Sequence, residues 1–202
     1  MSRLLALLLC LCASACTSLS KEYPEKTFYA FDVERGDRQE TSADAPLLLV
    51  KRFRSGPMNQ TLGLIYRTEP STYEADYYSE FFAAPEGLLT VIVGAWLADA
   101  GEYQVVVGAP GEQYPDYVLE GSLRSLYVDL EGDAGPRAVI DMQFFVSRRE
   151  NGVSAPVWRA DFSRAEAADS ASGADVLAAW NRGVASMLAD LESGLAQSLA
   201  GE

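Results

Sequence analysis

Apolar and polar positions along this chain change their period from segment to segment, and the changes predict its elements. Lys26 to Val33 is aromatic and partly alternating, which predicts a first strand, followed by a polar loop from Glu34 to Ala45. Leu47 to Arg54 predicts a second strand, broken by Ser55-Gly56-Pro57, and Leu62 to Arg67 a third, placed to pair with the second. Tyr73 to Phe82 is dense in aromatics and reads as a connecting segment running into Ala83-Ala84-Pro85. Pro85 suits a first helical turn, and Leu88, Leu89, Ile92, Trp96 and Leu97 then recur at helical spacing until Gly101. Tyr103 to Val107 predicts a short buried strand.

Three strands in series follow. Between Tyr117 and Leu130 the buried alternation of Leu119, Gly121 and Leu123 resumes out of phase at Leu126, Val128 and Leu130, which predicts a bulge near Ser125. Ala138, Ile140, Met142, Phe144 and Val146 alternate cleanly, Asn151-Gly152 signals a hairpin, and Val157 to Phe162 completes a meander. A second helix begins near Ser172 and carries Leu177, Trp180, Val184, Met187, Leu188, Leu191, Leu195 and Leu199. A coiled coil could use that stripe, but the bulk of Trp180 and Met187 and the breaks at Gly183 and Gly194 favour packing on a sheet. The expected fold class is α+β, a mostly antiparallel sheet with two long helices packed on one face.

The first residues have a different pattern. Arg3 precedes the apolar run Leu4 to Cys12, too short to span a bilayer, and the small residues Ala13-Ser14-Ala15 follow. This is the form of an export signal. Ala13-x-Ala15 fits the general signal peptidase, while Ala13-Ser14-Ala15-Cys16 resembles the lipobox of bacterial lipoproteins, with Ala13 where leucine is usual. All three cysteines, Cys10, Cys12 and Cys16, fall in this leader, and only Cys16 has small residues before it. A free thiol is a liability in an oxidising compartment, so Cys16 is read as the lipidated first residue of the mature chain, carrying acyl chains such as palmitate. Several chains at roughly 0.8 kcal/mol per buried CH₂ anchor stably where one does not. Thr17, rather than Asp, follows the cysteine, which favours the outer membrane, on its periplasmic face. Residues 1–15 are thus expected to be a signal peptide, 16–25 a lipidated N-terminus and tether, and 26–202 a single domain. The polar stretch from Thr17 to Pro24 reaches less than about 30 Å.

With 202 residues and a formal net charge of −13, which becomes −14 once the leader takes Arg3 with it, the chain has no basic surplus for nucleic acid. Histidine is absent, and with it the commonest general base and metal ligand. Catalysis would have to use carboxylates, a Ser-Lys pair or an oxygen-ligated metal. Lysine occurs only at Lys21, Lys26 and Lys51, none of them in an SxxK motif. Acid pairs such as Asp129 with Glu131, or Asp141 with Asp161, would need a cleft to act together and read more simply as solvated strand faces. No catalytic residue, metal ligand or cofactor is called for, and the chain is read as a non-enzyme. The candidate contact residues are aromatic: Tyr77, Tyr78, Phe81 and Phe82, with Tyr73 close by.

The order of elements resembles the ABC-type transport auxiliary lipoprotein family, which includes PqiC-like partners of MCE lipid-transfer systems. The residues that carry the resemblance are Phe28-Tyr29-Ala30-Phe31-Asp32, Val50-Lys51-Arg52-Phe53, Leu64-Ile65-Tyr66-Arg67, the run Tyr117 to Leu123, and Ala178-Ala179-Trp180-Asn181. Where the family often has Trp-Ala before its first helix, this chain has Phe81-Phe82-Ala83-Ala84-Pro85. The resemblance implies a non-enzymatic component of lipid transport across the bacterial envelope, held at the outer membrane by acyl chains. Its implied partners are an MCE-family protein and the associated ABC permease and ATPase, and a homo-oligomer is compatible with it. Two other classes compete: a structural envelope lipoprotein that binds peptidoglycan or a secretion complex, and a periplasmic carboxylate-dependent hydrolase.

Overall fold

The structure is a computed structural model and describes residues 24–109, 114–132, 134–150 and 153–199. Cys16 and the Asn151-Gly152 pair lie outside them. Among the described residues nine strands form one sheet: β1 (Thr27–Tyr29), β2 (Leu47–Val50), β3 (Arg54–Ser55), β4 (Gly63–Glu69), β5 (Thr72–Phe81), β6 (Gln104–Val107), β7 (Tyr117–Asp129), β8 (Arg137–Glu150) and β9 (Val153–Ala167). Two helices accompany them, α1 (Pro85–Asp99) and α2 (Gly173–Leu199).

The long strand β7 organises the sheet. Along one edge it pairs antiparallel with β8, which pairs antiparallel with β9, so the expected meander is present. Along its other edge it takes β2, β3 and β4 in succession, all parallel to it. The sheet then divides: β2 continues to a parallel β6, while β4 continues to an antiparallel β5 and then to a parallel β1. The sheet is therefore mixed, not mostly antiparallel, with five of eight strand pairings parallel. Alternation reports which side chains face a core, and it carries no information about the direction of a neighbouring strand. For the same reason β2 and β4, expected to pair with each other, instead lie one after the other against β7. The aromatic segment before α1 is itself a strand, β5, not a connection.

The phase slip in β7 is a bulge, with the register to β8 shifting between Leu123 and Ser125. A short 3-10 helix (Pro57–Asn59) brings the buried Asn59 against it. The second expected strand stops at Val50 because the chain steps along β7 before resuming as β3. Within that step the Phe53 N–H donates to Thr90 Oγ1 on α1 at 3.0 Å, which ties the break to the helix layer.

Both helices bury one continuous core with the inner face of the sheet: Leu119, Leu123, Leu126 and Val128 of β7 and Ile140, Met142, Phe144 and Val146 of β8. Helix α1 starts at Pro85 and ends at Asp99, and Gly101 just beyond it adopts φ +78° and lies too close to Gln39 for a side chain. Its buried side is broader than one stripe, because Thr90, Val93 and Gly94 join Leu89, Trp96 and Leu97, while Leu88 and Ile92 are half-buried. Helix α2 lies on β8 and β9. Its breaks have a packing purpose: a Cβ at Gly194 would stand 2.9 Å from the Trp158 ring, and one at Gly183 would stand 3.3 Å from Arg164 Cβ. Trp180, fully buried, donates its indole N–H to the Val139 carbonyl at 3.0 Å and packs beside Phe81.

Candidate interaction surface

The four aromatic residues singled out in the sequence divide into two groups. Adjacent strand residues face opposite sides of a sheet. Phe81 accordingly points inward, 2% exposed, between Phe31 and Trp180 with ring centroids 5.2 and 5.7 Å away. It is a core residue and is unavailable to a partner, a correction to its candidacy. Phe82, the next residue, is 73% exposed, and Tyr77 and Tyr78 are 68% and 37% exposed.

Two of the exposed rings, Tyr77 and Tyr78, are held in place by a bulge. In the β4–β5 ladder Gly63 pairs with Glu80 and Ile65 pairs with Ala75, so that the single residue Leu64 faces four residues of β5, Asp76 to Ser79. Asp76 stabilises the excursion by accepting the Tyr78 N–H at 2.7 Å. Burial raises the pKa of its carboxyl, but hydrogen bonds from the Tyr78 N–H and from the Ser79 hydroxyl and N–H hold it below the ordinary value. Gly63 makes room, since a Cβ there would meet the Asp76 carbonyl oxygen at 2.5 Å. Tyr77 and Tyr78 meet edge to face at 5.2 Å.

Strand β1 adds two residues that the sequence reading did not select. Its parallel register places Phe28 beside Glu80, and the ladder continues with the Phe82 N–H donating to the Tyr29 carbonyl at 2.7 Å. Phe28, 56% exposed, therefore shares one face with Phe82. Lys26 bonds Glu80 at 2.6 Å and sits 4.2 Å from the centroid of the Tyr77 ring. Donation of a hydrogen bond to Glu80 raises the Lys26 pKa. The result is an exposed aromatic edge of Phe28, Tyr77, Tyr78 and Phe82 around one closed ion pair. Only the alternation of β5 could have signalled the split between Phe81 and Phe82, and reading the segment as a connection discarded that signal.

Of the acids weighed for chemistry, Asp129, Glu131 and Asp161 are held by arginines. Arg67 makes a two-pronged bond to Asp129, at 3.0 and 2.5 Å, and lies 3.3 Å from Glu131. Those bonds hold the Asp129 carboxyl below the ordinary value. Asp161 accepts from Gln143, Arg124 and Arg159 on the open face of the sheet. A polar cleft of about 540 Å³ beneath the loop after β1 is lined by Arg35, Gln39, Asp44, Glu102 and Glu192. Arg35 takes Glu192 with both prongs at 2.9 Å, and the Trp96 indole N–H donates to the same carboxylate at 2.8 Å. Among the described residues no group of three or more acidic or sulfur side chains is placed to hold a metal.

No family model matches the sequence, and no curated protein matches it. Solved structures do. The chain is similar to XCC0632 of Xanthomonas campestris, a protein of family model DUF330, at 20% identity and a TM-score of 0.68, covering 84% of this chain and 94% of that one. An uncharacterized protein matches at 14% identity and a TM-score of 0.64, covering 84% and 97%. The hypothetical protein CT253 of Chlamydia trachomatis matches at 8% and 0.51, covering 75% and 98%. At such identities the likeness is one of fold, and the α+β architecture of this chain is that of the DUF330 protein over nearly its whole length.

Proposed function

We propose that this protein is a non-enzymatic, lipid-anchored component of a lipid-transport assembly spanning the bacterial envelope, in the manner of the PqiC-like partners of MCE systems. The observation that carries the reading is the succession of a lipobox-like Ala13-Ser14-Ala15-Cys16, a tether of eight residues, and an exposed aromatic edge built on the first strand after it. The DUF330 fold is consistent with it. Asp129, Glu131 and Asp161 are paired with arginines, an arrangement suited to structure more than to proton transfer. In this reading the domain is held at the periplasmic face of the outer membrane, and its short tether raises its effective concentration beside an envelope-spanning partner. The exposed edge of Tyr77, Tyr78 and Phe82 is its contact surface.

Co-purification from membranes is the test. The acylated protein should bring down an MCE protein with its permease and ATPase, and loss of the gene should weaken the outer-membrane barrier. Hydrolysis of an envelope substrate by the purified protein, with the barrier intact in the deletion strain, would reject the proposal.

A further inference from the structure

We infer that the aromatic edge of β1 and β5 is a lipid-facing surface, seated in the headgroup region of the bilayer that holds the anchor. The inference rests on the lipid-anchored reading of Cys16 and names what the contact surface of that reading meets.

Placement supplies the first argument. The described chain enters this edge directly, since Lys26 touches both Tyr77 and Glu80 and Phe28 follows two residues later. From Cys16 the stretch Thr17 to Pro24 spans less than about 30 Å even when extended. An anchor at Cys16 therefore holds the start of this edge within roughly 35 Å of the membrane.

Chemistry supplies the second. Phenylalanine and tyrosine bury large rings at a membrane interface while a tyrosine hydroxyl stays wet. Charge makes an acidic chain a poor ligand for anionic lipid, so attraction has to come from apolar area. Among the rings the charges are engaged: Lys26 with Glu80, and Asp76 with the backbone donors of its own bulge. Drying the rings thus leaves neither Lys26 nor Asp76 without a partner. The bulge holds Tyr77 and Tyr78 outward before any contact forms, which lowers the ordering cost of insertion.

The test uses the chain from Cys16 to Glu202, whose only thiol is Cys16. It is coupled through that thiol to a maleimide lipid in phosphatidylethanolamine–phosphatidylglycerol vesicles that contain brominated phosphatidylcholine, a quencher of tryptophan. Phe82→Trp places a reporter on the edge, and Val91→Trp places one on the exposed side of α1, across the helix layer. The unsubstituted chain supplies the background from Trp96, Trp158 and Trp180. The expected result is a blue shift and quenching of the added emission in Phe82→Trp, with none in Val91→Trp. No quenching in Phe82→Trp, with coupling confirmed by mass, overturns the inference and leaves the edge to a protein partner. Equal quenching of both reporters means unoriented adsorption and overturns it as well. The chemical tether makes this result independent of acylation in the cell, which the mass of Cys16 in protein isolated from membranes decides separately.

Discussion

The side-chain oxygen of Asn59 accepts the backbone N–H of Leu126 at 3.1 Å, while its amide nitrogen donates to the carbonyls of Leu123 and Arg124 at 3.4 and 3.2 Å. One buried amide thus satisfies backbone groups beside the bulge on the other edge of β7, between the positions paired with β3 and with β4. Asn59→Ala should cost about 2–4 kcal/mol, since a buried N–H loses its acceptor and the Arg124 carbonyl its donor, while the Leu123 carbonyl keeps the Gly56 N–H. Asn59→Asp should be no milder, because a second oxygen would face those carbonyls. Urea unfolding measures both, and unchanged midpoints would mean that water replaces the side chain fully.

Trp180 closes the core between Phe81 and β8. Trp180→Ala should cost roughly 3–5 kcal/mol. Trp180→Phe keeps much of the ring but loses the hydrogen bond to the Val139 carbonyl, and should cost less. A melting temperature unchanged in the alanine variant would show that α2 does not depend on this contact.

Gly63 sets the aromatic edge from behind. Gly63→Ala forces a Cβ toward the Asp76 carbonyl oxygen, 2.5 Å away, and should cost about 1–3 kcal/mol by displacing the bulge. In NMR spectra the largest shifts should fall on Asp76 to Glu80. Shifts spread evenly over the core would show that the bulge is not the element under constraint.

Acid should weaken the attachment of the loop after β1. The hydrogen bond from Arg35 lowers the Glu192 pKa, partial burial opposes it, and the Trp96 indole N–H adds to the lowering. A carboxyl whose folded value lies below its unfolded one stabilises fully above the unfolded value, about 4.3, and loses that contribution as pH falls through the folded value. Between about pH 5 and 3 the unsubstituted protein should therefore lose more stability than Glu192→Gln. Parallel urea midpoints across that range would remove Glu192 from the acid response.

What the sequence carried was facing. The strict alternation of Ala138 to Val146, the slip after Leu123, and the stripe from Leu177 to Leu199 each report a local pattern of burial. Periodicity encodes burial directly, so the meander, the bulge and both helices were legible. The exposed and buried halves of Phe81-Phe82 were legible in principle by the same rule.

Outside the meander, direction and neighbourhood were decided by tertiary structure alone. Nothing in Leu47 to Val50 or Leu64 to Arg67 states that both strands run parallel to β7, because the hydrogen bonds that fix this come from backbone groups common to every residue. Asn59 reads as an ordinary polar loop residue until the bulge lies across from it. The edge of Phe28, Tyr77, Tyr78 and Phe82 exists because the register of β1 on β5 and the extra residues opposite Leu64 bring positions about fifty apart onto one surface. The sequence by itself determined which side chains each element would bury; only folding decided which elements became neighbours, because strand pairing is a contest among backbone ladders that side-chain periodicity does not rank.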